Sequence, residues 1–184
     1  MKKVFLAAAV MATLVSGSAM ADSITINGEM IEAGCIFGNN GTADITLNKL
    51  ASHTVTAAPL GAELLNQKDS FKISNCPTYD VRLEFSAQAP AGYPGAIVNT
   101  DANGEYIAHF LRDGRTEKKE PLTESGTNRV YLTGNDAAAA QSPEGFQYPV
   151  LAGYTKIKGT DTVDDASIAG TTSSTIDLSI TYVQ

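Results

Sequence analysis

Strict alternation of apolar and polar residues is the feature that most limits how this chain can fold. Near its start, Ile24, Ile26 and Met30 share one parity with Gly28, and the residues between them are polar. The pattern returns at the end of the chain, where the apolar positions are Ile176, Leu178, Ile180 and Tyr182. A period of two places side chains on one face of a β-strand, whereas a helix needs a period near 3.6. Both segments are therefore predicted to be strands with one buried face.

Between these two ends, further short apolar runs are separated by clusters of Gly, Pro, Asn and Asp. We predict strands at 44–48, 71–76, 81–85, 106–112, 130–132 and 146–157. The runs at 71–76 and 81–85 are expected to be neighbours, and 106–112, which contains His109, is expected to be buried on both faces. Since no segment has the pattern of a long amphipathic helix, the chain is predicted to be all-β, and short strands divided by turns favour a sandwich.

The first residues have the order of parts found in a secretory signal peptide. Lys2 and Lys3 precede an apolar run of about 12 residues and then small residues that end at Ala21, whereas a membrane-spanning helix needs roughly 20 apolar residues. Residues 1–21 are therefore predicted to be a signal peptide that is cleaved before Asp22, so that the mature protein is exported.

The charge of the predicted mature chain limits its partners. Residues 1–21 contain two of the 13 Lys and Arg residues and none of the 20 Asp and Glu residues, so the net charge becomes 11 − 20 = −9. An acidic surface argues against nucleic acid as a partner, because Lys and Arg supply most of the affinity for phosphates. It is compatible with a partner that presents a basic cleft.

Two cysteines, Cys35 and Cys76, remain in the mature chain. In an exported protein an even number of cysteines favours a disulfide, and closing a loop of about 42 residues would stabilise the fold by roughly 4 kcal/mol. Two free thiols are the alternative. A zinc site is less favoured, because neither cysteine has a second Cys or a His nearby at ligand spacing.

The chain lacks the residue patterns that catalysis and metal binding require. Its histidines, His53 and His109, have no acid at motif spacing, and the mature chain has no Gly-x-Ser-x-Gly elbow. A calcium loop that begins at Asn99 would need Glu at its last position, where Phe110 stands. We predict no enzyme, no cofactor and no metal site.

Five segments in fixed order resemble the structural subunits of chaperone–usher fimbriae, in particular those of type 1 and P pili. The resemblance covers nearly the whole mature chain. Its segments are 21–30 followed by Cys35, 44–50, the Phe-Lys-Ile-Ser-Asn-Cys motif at 71–76, 146–154, and 176–184.

This resemblance implies an incomplete immunoglobulin-like β-sandwich that is completed by a strand donated from a neighbouring subunit. An N-terminal donor extension at 22–34 would precede a pilin domain at 35–184. Within the extension, the donor strand would present Ile24, Ile26 and Met30 to successive pockets. Gly28 would lie where a wall of the groove comes too close for a side chain.

The resemblance also implies where the donated strand is received. The groove would be flanked by the domain's own first strand and by its terminal strand. The receiving side chains would be Ile176, Leu178, Ile180 and Tyr182, and the carboxylate of Gln184 would contact a basic chaperone cleft.

The implied function is that of a structural subunit of an adhesive fimbrium, exported through the periplasm to the cell surface. Its partners would be neighbouring pilus subunits, a periplasmic chaperone and an outer-membrane usher. The alternative is a single-domain secreted adhesin module that binds a carbohydrate or a receptor.

Overall fold

The computed structural model describes residues 22–30, 34–39, 41–77, 80–101, 103–159 and 168–183. The predicted signal peptide and Gln184 lie outside these ranges. The strands are β1 (Asp22–Met30), β2 (Ile36–Phe37), β3 (Thr42–Leu47), β4 (Glu63–Ser74), β5 (Asp80–Ser86), β6 (Ala96–Ile97), β7 (Ile107–Asp113), β8 (Arg129–Leu132), β9 (Phe146–Lys156) and β10 (Thr172–Val183). The helices are α1 (Ser52–Ala57) and α2 (Gly134–Gln141), and neither is long and apolar enough to cross a membrane.

The strands form two five-stranded sheets, with the orders β3-β1-β10-β5-β8 and β2-β4-β9-β7-β6. Strands β1 and β10 pair in parallel. Every other pair of neighbouring strands in these two sheets is antiparallel. The prediction of an all-β sandwich is confirmed, and the strands predicted from alternation at 44–48, 130–132, 146–157 and 176–182 are all present.

The core lies between the sheets and contains a cluster of aromatic rings. Phe71 of β4 stacks on Tyr148 of β9 with ring centroids 4.9 Å apart, and it meets Phe85 of β5 edge-on at 6.1 Å. Phe71 and Phe85 thus face each other across the core. The expectation that the runs at 71–76 and 81–85 are neighbouring strands is wrong, because the chain crosses from one sheet to the other at Cys76 and Pro77.

Strand β7 is buried on both faces, as the sequence predicted. Its residues from Ile107 to Leu111, His109 included, are at most 2% exposed. The loop that follows β7 folds back along the strand, where the amide of Leu122 donates to the carbonyl of Leu111 at 2.9 Å. This return therefore pairs with the backbone edge of β7 near Leu111.

The two helices satisfy backbone groups at the edges of the sandwich. Lys156, at the end of β9, is buried, and its ammonium donates to the carbonyls of Thr56 and Ala58 at the C-terminal end of α1. In α2, the carbonyl of Ala140 accepts a hydrogen bond of 3.0 Å from the amide of Cys76. Helix α2 therefore helps to position the second cysteine.

Candidate functional site

The first described strand, β1, lies inside a sheet of its own chain. It pairs with β3 from Asp22 to Asn27 and with β10 along its whole length, from Asp22 to Met30. We call the space between β3 and β10 the β1 groove. One of its walls contains the predicted terminal strand, and the other contains the 44–48 run, which is the first strand predicted after Cys35.

The apolar face of β1 fills the β1 groove. Ile24 and Ile26 are fully buried in the core, while Thr25 faces outward and its hydroxyl donates to Asp44 of β3 at 2.9 Å. Burial of two isoleucine side chains contributes about 3–6 kcal/mol. Met30 ends β1, and its side chain lies outside the described part of the chain.

Gly28 has the same parity as the two isoleucines and lies against the side chain of Phe37. A Cβ atom at position 28 would be 2.5 Å from Cδ1 of Phe37 and 2.9 Å from its Cγ, closer than real Cβ contacts. The amide of Gly28 donates to the carbonyl of Gly41 at 2.6 Å. In this fold, the wall that leaves no room for a side chain at position 28 is therefore Phe37.

The residues predicted to receive the donated strand lie along β10. Ile176, Leu178 and Ile180 are buried and pair through the backbone with Ile26, Gly28 and Met30, in that order. Tyr182 is partly buried against the core, and its phenol oxygen accepts a hydrogen bond of 3.0 Å from the amide of Cys35. The predicted chaperone contact at Gln184 lies outside the described residues.

The disulfide between Cys35 and Cys76 is present, as predicted. Both cysteines are buried. The bond joins the residue before β2 to the segment that leaves β4. It therefore fixes the chain soon after β1 to the opposite sheet.

The sequence did not identify a buried polar bridge that reaches the β1 groove from the opposite sheet. The hydroxyl of Ser174 donates its one proton to the carbonyl of Val98 at 2.6 Å. Its oxygen therefore acts as an acceptor towards the ring, and Nδ1 of His109 donates to it at 2.5 Å. Nε2 of His109 then accepts from the hydroxyl of Thr172 at 2.8 Å. One signal in the sequence could have indicated this bridge. Thr172 and Ser174 have the same parity as the buried residues of β10, so their polar side chains are expected to face the core.

Burial sets the electrostatics of this bridge. It lowers the pKa of His109 from 6.5 to about 4, so the imidazole is neutral near pH 7. The ring also lies 5.4 Å from the ring of Tyr154, centroid to centroid. Thr172 and Ser174 pair through the backbone with Asp22 and Ile24 of β1. A fully enclosed imidazole without solvent access is suited to holding the two sheets together.

Within the described ranges, no group of His, Cys, Asp and Glu side chains is arranged to hold a metal ion. A surface pocket of about 190 Å³ includes Tyr93 and Arg112 in its lining. The guanidinium of Arg112 already donates to the carboxylate of Glu63 and to the carbonyl of Lys119. Each of its two terminal nitrogens therefore already donates within the protein.

No protein-family model matches the chain, and no curated protein sequence is similar to it. Among solved structures, the P pilus rod subunit PapA superposes with a TM-score of 0.53 at 14% identity, covering 82% of this chain and 100% of that one. The fold is an immunoglobulin-like sandwich. The CupB6 tip adhesin from Pseudomonas aeruginosa superposes with a TM-score of 0.42 at 8% identity, over 91% of this chain and 42% of that one.

Proposed function

We propose that this protein is an exported structural subunit of an adhesive fimbrium and that it polymerises by donating its β1 segment to the β1 groove of a neighbouring subunit. The observation that carries the proposal is the position of β1, which follows the predicted signal peptide and fills the interior of a sheet with two buried isoleucines. The PapA-like fold supports it. The protein has a structural role and is not an enzyme.

Withdrawal of β1 would leave the sandwich incomplete. The facing edges of β3 and β10 would lose their backbone partners, and the core side chains Ile45 and Ile176 would lose the cover that β1 provides. An open edge beside exposed core residues binds another strand readily. A second copy of the segment at 22–30 offers the same residues in the same order, so it can complete the fold of a neighbour.

The direction of β1 favours its release over that of other interior strands. In the two sheets β1 and β10 form the parallel pair, whereas the remaining ladders are antiparallel. Parallel pairing is slightly less stable per residue. Less ladder energy is therefore lost when β1 leaves than when an antiparallel strand of equal length leaves.

The proposal extends to the path of export. Residues 1–21 are the signal peptide, 22–34 the donor extension and 35–184 the pilin domain. A periplasmic chaperone with a basic cleft holds the acidic subunit at its C-terminal carboxylate, Gln184, and an outer-membrane usher delivers it to the cell surface.

The experiment that tests the proposal tethers β1 inside its own groove. Thr25 and Asp44 face each other across β1 and β3, so Thr25→Cys with Asp44→Cys places two thiols in a cross-strand pair. The oxidised variant is held just below its unfolding midpoint, where exchange is fast, and polymers are followed as SDS-resistant ladders. We expect the oxidised variant to remain monomeric. Mild reduction, which opens the engineered disulfide but spares the buried native one, should restore polymers at the wild-type rate.

The matched control carries Glu84→Cys with Arg129→Cys, an antiparallel pair between β5 and β8 in the same sheet. When oxidised it should polymerise like the wild type, because β1 remains free to leave. Polymerisation of the oxidised Thr25/Asp44 variant at the wild-type rate would refute donation by β1. So would a wild-type chain that stays monomeric throughout.

A further inference from the structure

An asparagine followed by a glycine is the residue pair that deamidates most readily without an enzyme. The chain contains this pair at three places, Asn27–Gly28 in β1, Asn40–Gly41 just before β3 and Asn103–Gly104 ahead of β7. The reaction needs only water, so the freedom of the local backbone controls its rate. The backbone of the folded protein does not hold the three pairs in the same way.

The reaction at Asn27 joins its side chain to the backbone of the next residue. The amide nitrogen of Gly28 attacks Cγ of Asn27 and forms a new bond, while the bond from Cγ to its NH2 group breaks and ammonia leaves with the proton of the Gly28 amide. Water then opens the five-membered imide at one of its two carbonyls. The products are aspartate, or isoaspartate in which the backbone runs through the former side chain. Glycine favours ring closure because it carries no side chain and restricts the backbone least.

Strand β1 holds Asn27 and Gly28 in a conformation that prevents ring closure. The ring closes only when the peptide unit between them rotates out of the extended conformation, which takes its amide away from any strand partner. In β1 that amide donates to the carbonyl of Gly41 at 2.6 Å. Asn27 also lies between Thr42 of β3 and Asp177 of β10 in the sheet. Since the side chain of Asn27 is exposed, the backbone pairing protects it and burial does not.

The glycine amides of the other two pairs are held within their own turns. The amide of Gly41 donates to the carbonyl of Phe37 at 3.0 Å, and the amide of Gly104 donates to the carbonyl of Asp101 at 2.9 Å. Asn103 is also buried, and its side-chain nitrogen donates to a backbone carbonyl at 3.0 Å. Departure of β1 does not break these local contacts. Of the three pairs, the one in β1 therefore depends on a distant segment for its protection.

Both products would fit the β1 groove less well than Asn27 does. Aspartate at position 27 would face Asp177, its exposed backbone partner on β10, and like charges directly opposite each other destabilise a strand pair. Isoaspartate would add one carbon atom to the backbone between Ile26 and Gly28, so the ladder would lose its register beyond that point. A modified segment would therefore return to a groove with lower affinity.

We propose that Asn27 is a site of spontaneous deamidation that is protected while β1 occupies a groove and reactive while β1 is free. The site itself requires only that β1 opens from the rest of one chain. Its effect on assembly rests on the proposed function: a subunit whose segment stays free is deamidated and joins polymers less well. A segment that is seated in a neighbouring subunit is protected.

Peptide mapping of the mature full chain tests this protection. The wild type and the Thr25→Cys/Asp44→Cys variant, oxidised or reduced, are incubated in mildly alkaline buffer with urea below the unfolding transition. Aspartate and isoaspartate are then quantified at each pair. Because deamidation is slow compared with closure of a strand, its rate follows the population in which β1 is open. We expect oxidation to slow the reaction at Asn27 at least about tenfold and to leave the rate at Asn103 unchanged.

Two further samples separate opening of β1 from intrinsic reactivity. The peptide of residues 22–30, with and without Thr25→Cys, gives the rate for the free segment, which should exceed the rate in the folded wild type. Ile24→Ala removes a buried side chain of β1, so it should accelerate deamidation at Asn27 in the full chain but not at Asn103. Equal rates at Asn27 in the oxidised and reduced chains would overturn the proposal. So would a free peptide that reacts no faster than the folded wild type.

Ageing of the unfolded chain tests the effect on assembly. Wild type and Asn27→Gln are held in urea for increasing times, refolded and assayed for SDS-resistant polymers. Glutamine would have to close a six-membered ring, which forms much more slowly, so this variant should keep its ability to polymerise for longer. An equal decline of both chains would overturn the effect on assembly. If β1 protects Asn27 but neither chain polymerises at any age, exchange between chains is refuted and the modification site of the monomer stands.

Discussion

Strands β1 and β9 both lie inside a sheet, but the chain fixes them in different ways. Strand β9 is antiparallel to both of its neighbours, β4 and β7, and its residues from Val150 to Lys156 are all buried. Strand β1 has one parallel neighbour, and its outward residues Thr25 and Asn27 are not buried. The comparison indicates that β9 organises its sheet, whereas β1 fills a place that the rest of the sandwich defines.

One glycine in each strand shows the same difference at atomic scale. A Cβ at Gly153 of β9 would lie 1.7 Å from the carbonyl oxygen of Leu65, in a bulge of β4 where Leu65 has φ of +62°. The three atoms nearest to a Cβ at Gly28 of β1 would all belong to the side chain of Phe37. Strand β9 is thus fitted against a neighbouring backbone, and β1 against one replaceable ring.

The largest effect is expected from Gly153→Ala. Because the new methyl group would overlap a carbonyl oxygen, β4 and β9 cannot keep their register, and we expect no folded protein. The measurement is near-ultraviolet circular dichroism of the soluble fraction. Gly159→Ala is the control, because nothing lies within 4 Å of a Cβ at that position. A folded variant with a near-native urea midpoint would show that β9 is no more firmly placed than β1.

A smaller but localised effect is expected from Ile26→Ala. Removal of this buried side chain should lower the free energy of unfolding by about 3 kcal/mol through lost burial and a residual cavity. Hydrogen exchange should then accelerate more in the amides of β1 than in those of β9, because β1 opens without the rest of the fold.

Ile176→Ala is the matched variant, since Ile176 is the backbone partner of Ile26 on β10. It should cost a similar free energy, but its strand also pairs with β5, so β1 should be loosened less selectively. An equal acceleration in β1 and β9 for Ile26→Ala would show that β1 opens only when the whole domain unfolds.

Local patterns in the sequence predicted β1 and β10 but not the contacts between distant strands. Alternation marks a buried face without naming the partner, and β1 and β10 lie at opposite ends of the chain. The turn at Pro77 was interpreted as joining neighbouring strands, although the chain changes sheets there. Helix α1 has only six residues, too few for a clear period, and a lysine from β9 satisfies its last carbonyls.

In the candidate site, too, some features could be predicted from local sequence patterns and others could not. Its inward residues Ile24, Ile26 and Gly28 follow from parity, because one face of a strand is a local property of the sequence. The contact of Gly28 with Phe37 and the bridge from His109 to β10 depend on how the sheets pack. Local sequence patterns give no signal of either contact, because the strands that pack against each other are not known from the sequence alone.

The remaining predicted effect depends on pH and concerns His109, which links β7, a neighbour of β9, to the start of β10 beside β1. Burial lowers its pKa from 6.5 to about 4, so the unfolded chain binds more protons than the folded chain between these values. The stability that the neutral imidazole contributes is complete above pH 6.5 and is lost as the pH falls towards 4, by about 3 kcal/mol. Carboxylates also titrate in this range, so the measurement is the difference in free energy of unfolding between the wild type and His109→Gln. We expect the wild type to be more stable than His109→Gln at pH 7 and to lose this advantage near pH 4. A difference in stability that does not depend on pH would mean that the bridge between β7 and β10 is not held by a neutral, enclosed histidine.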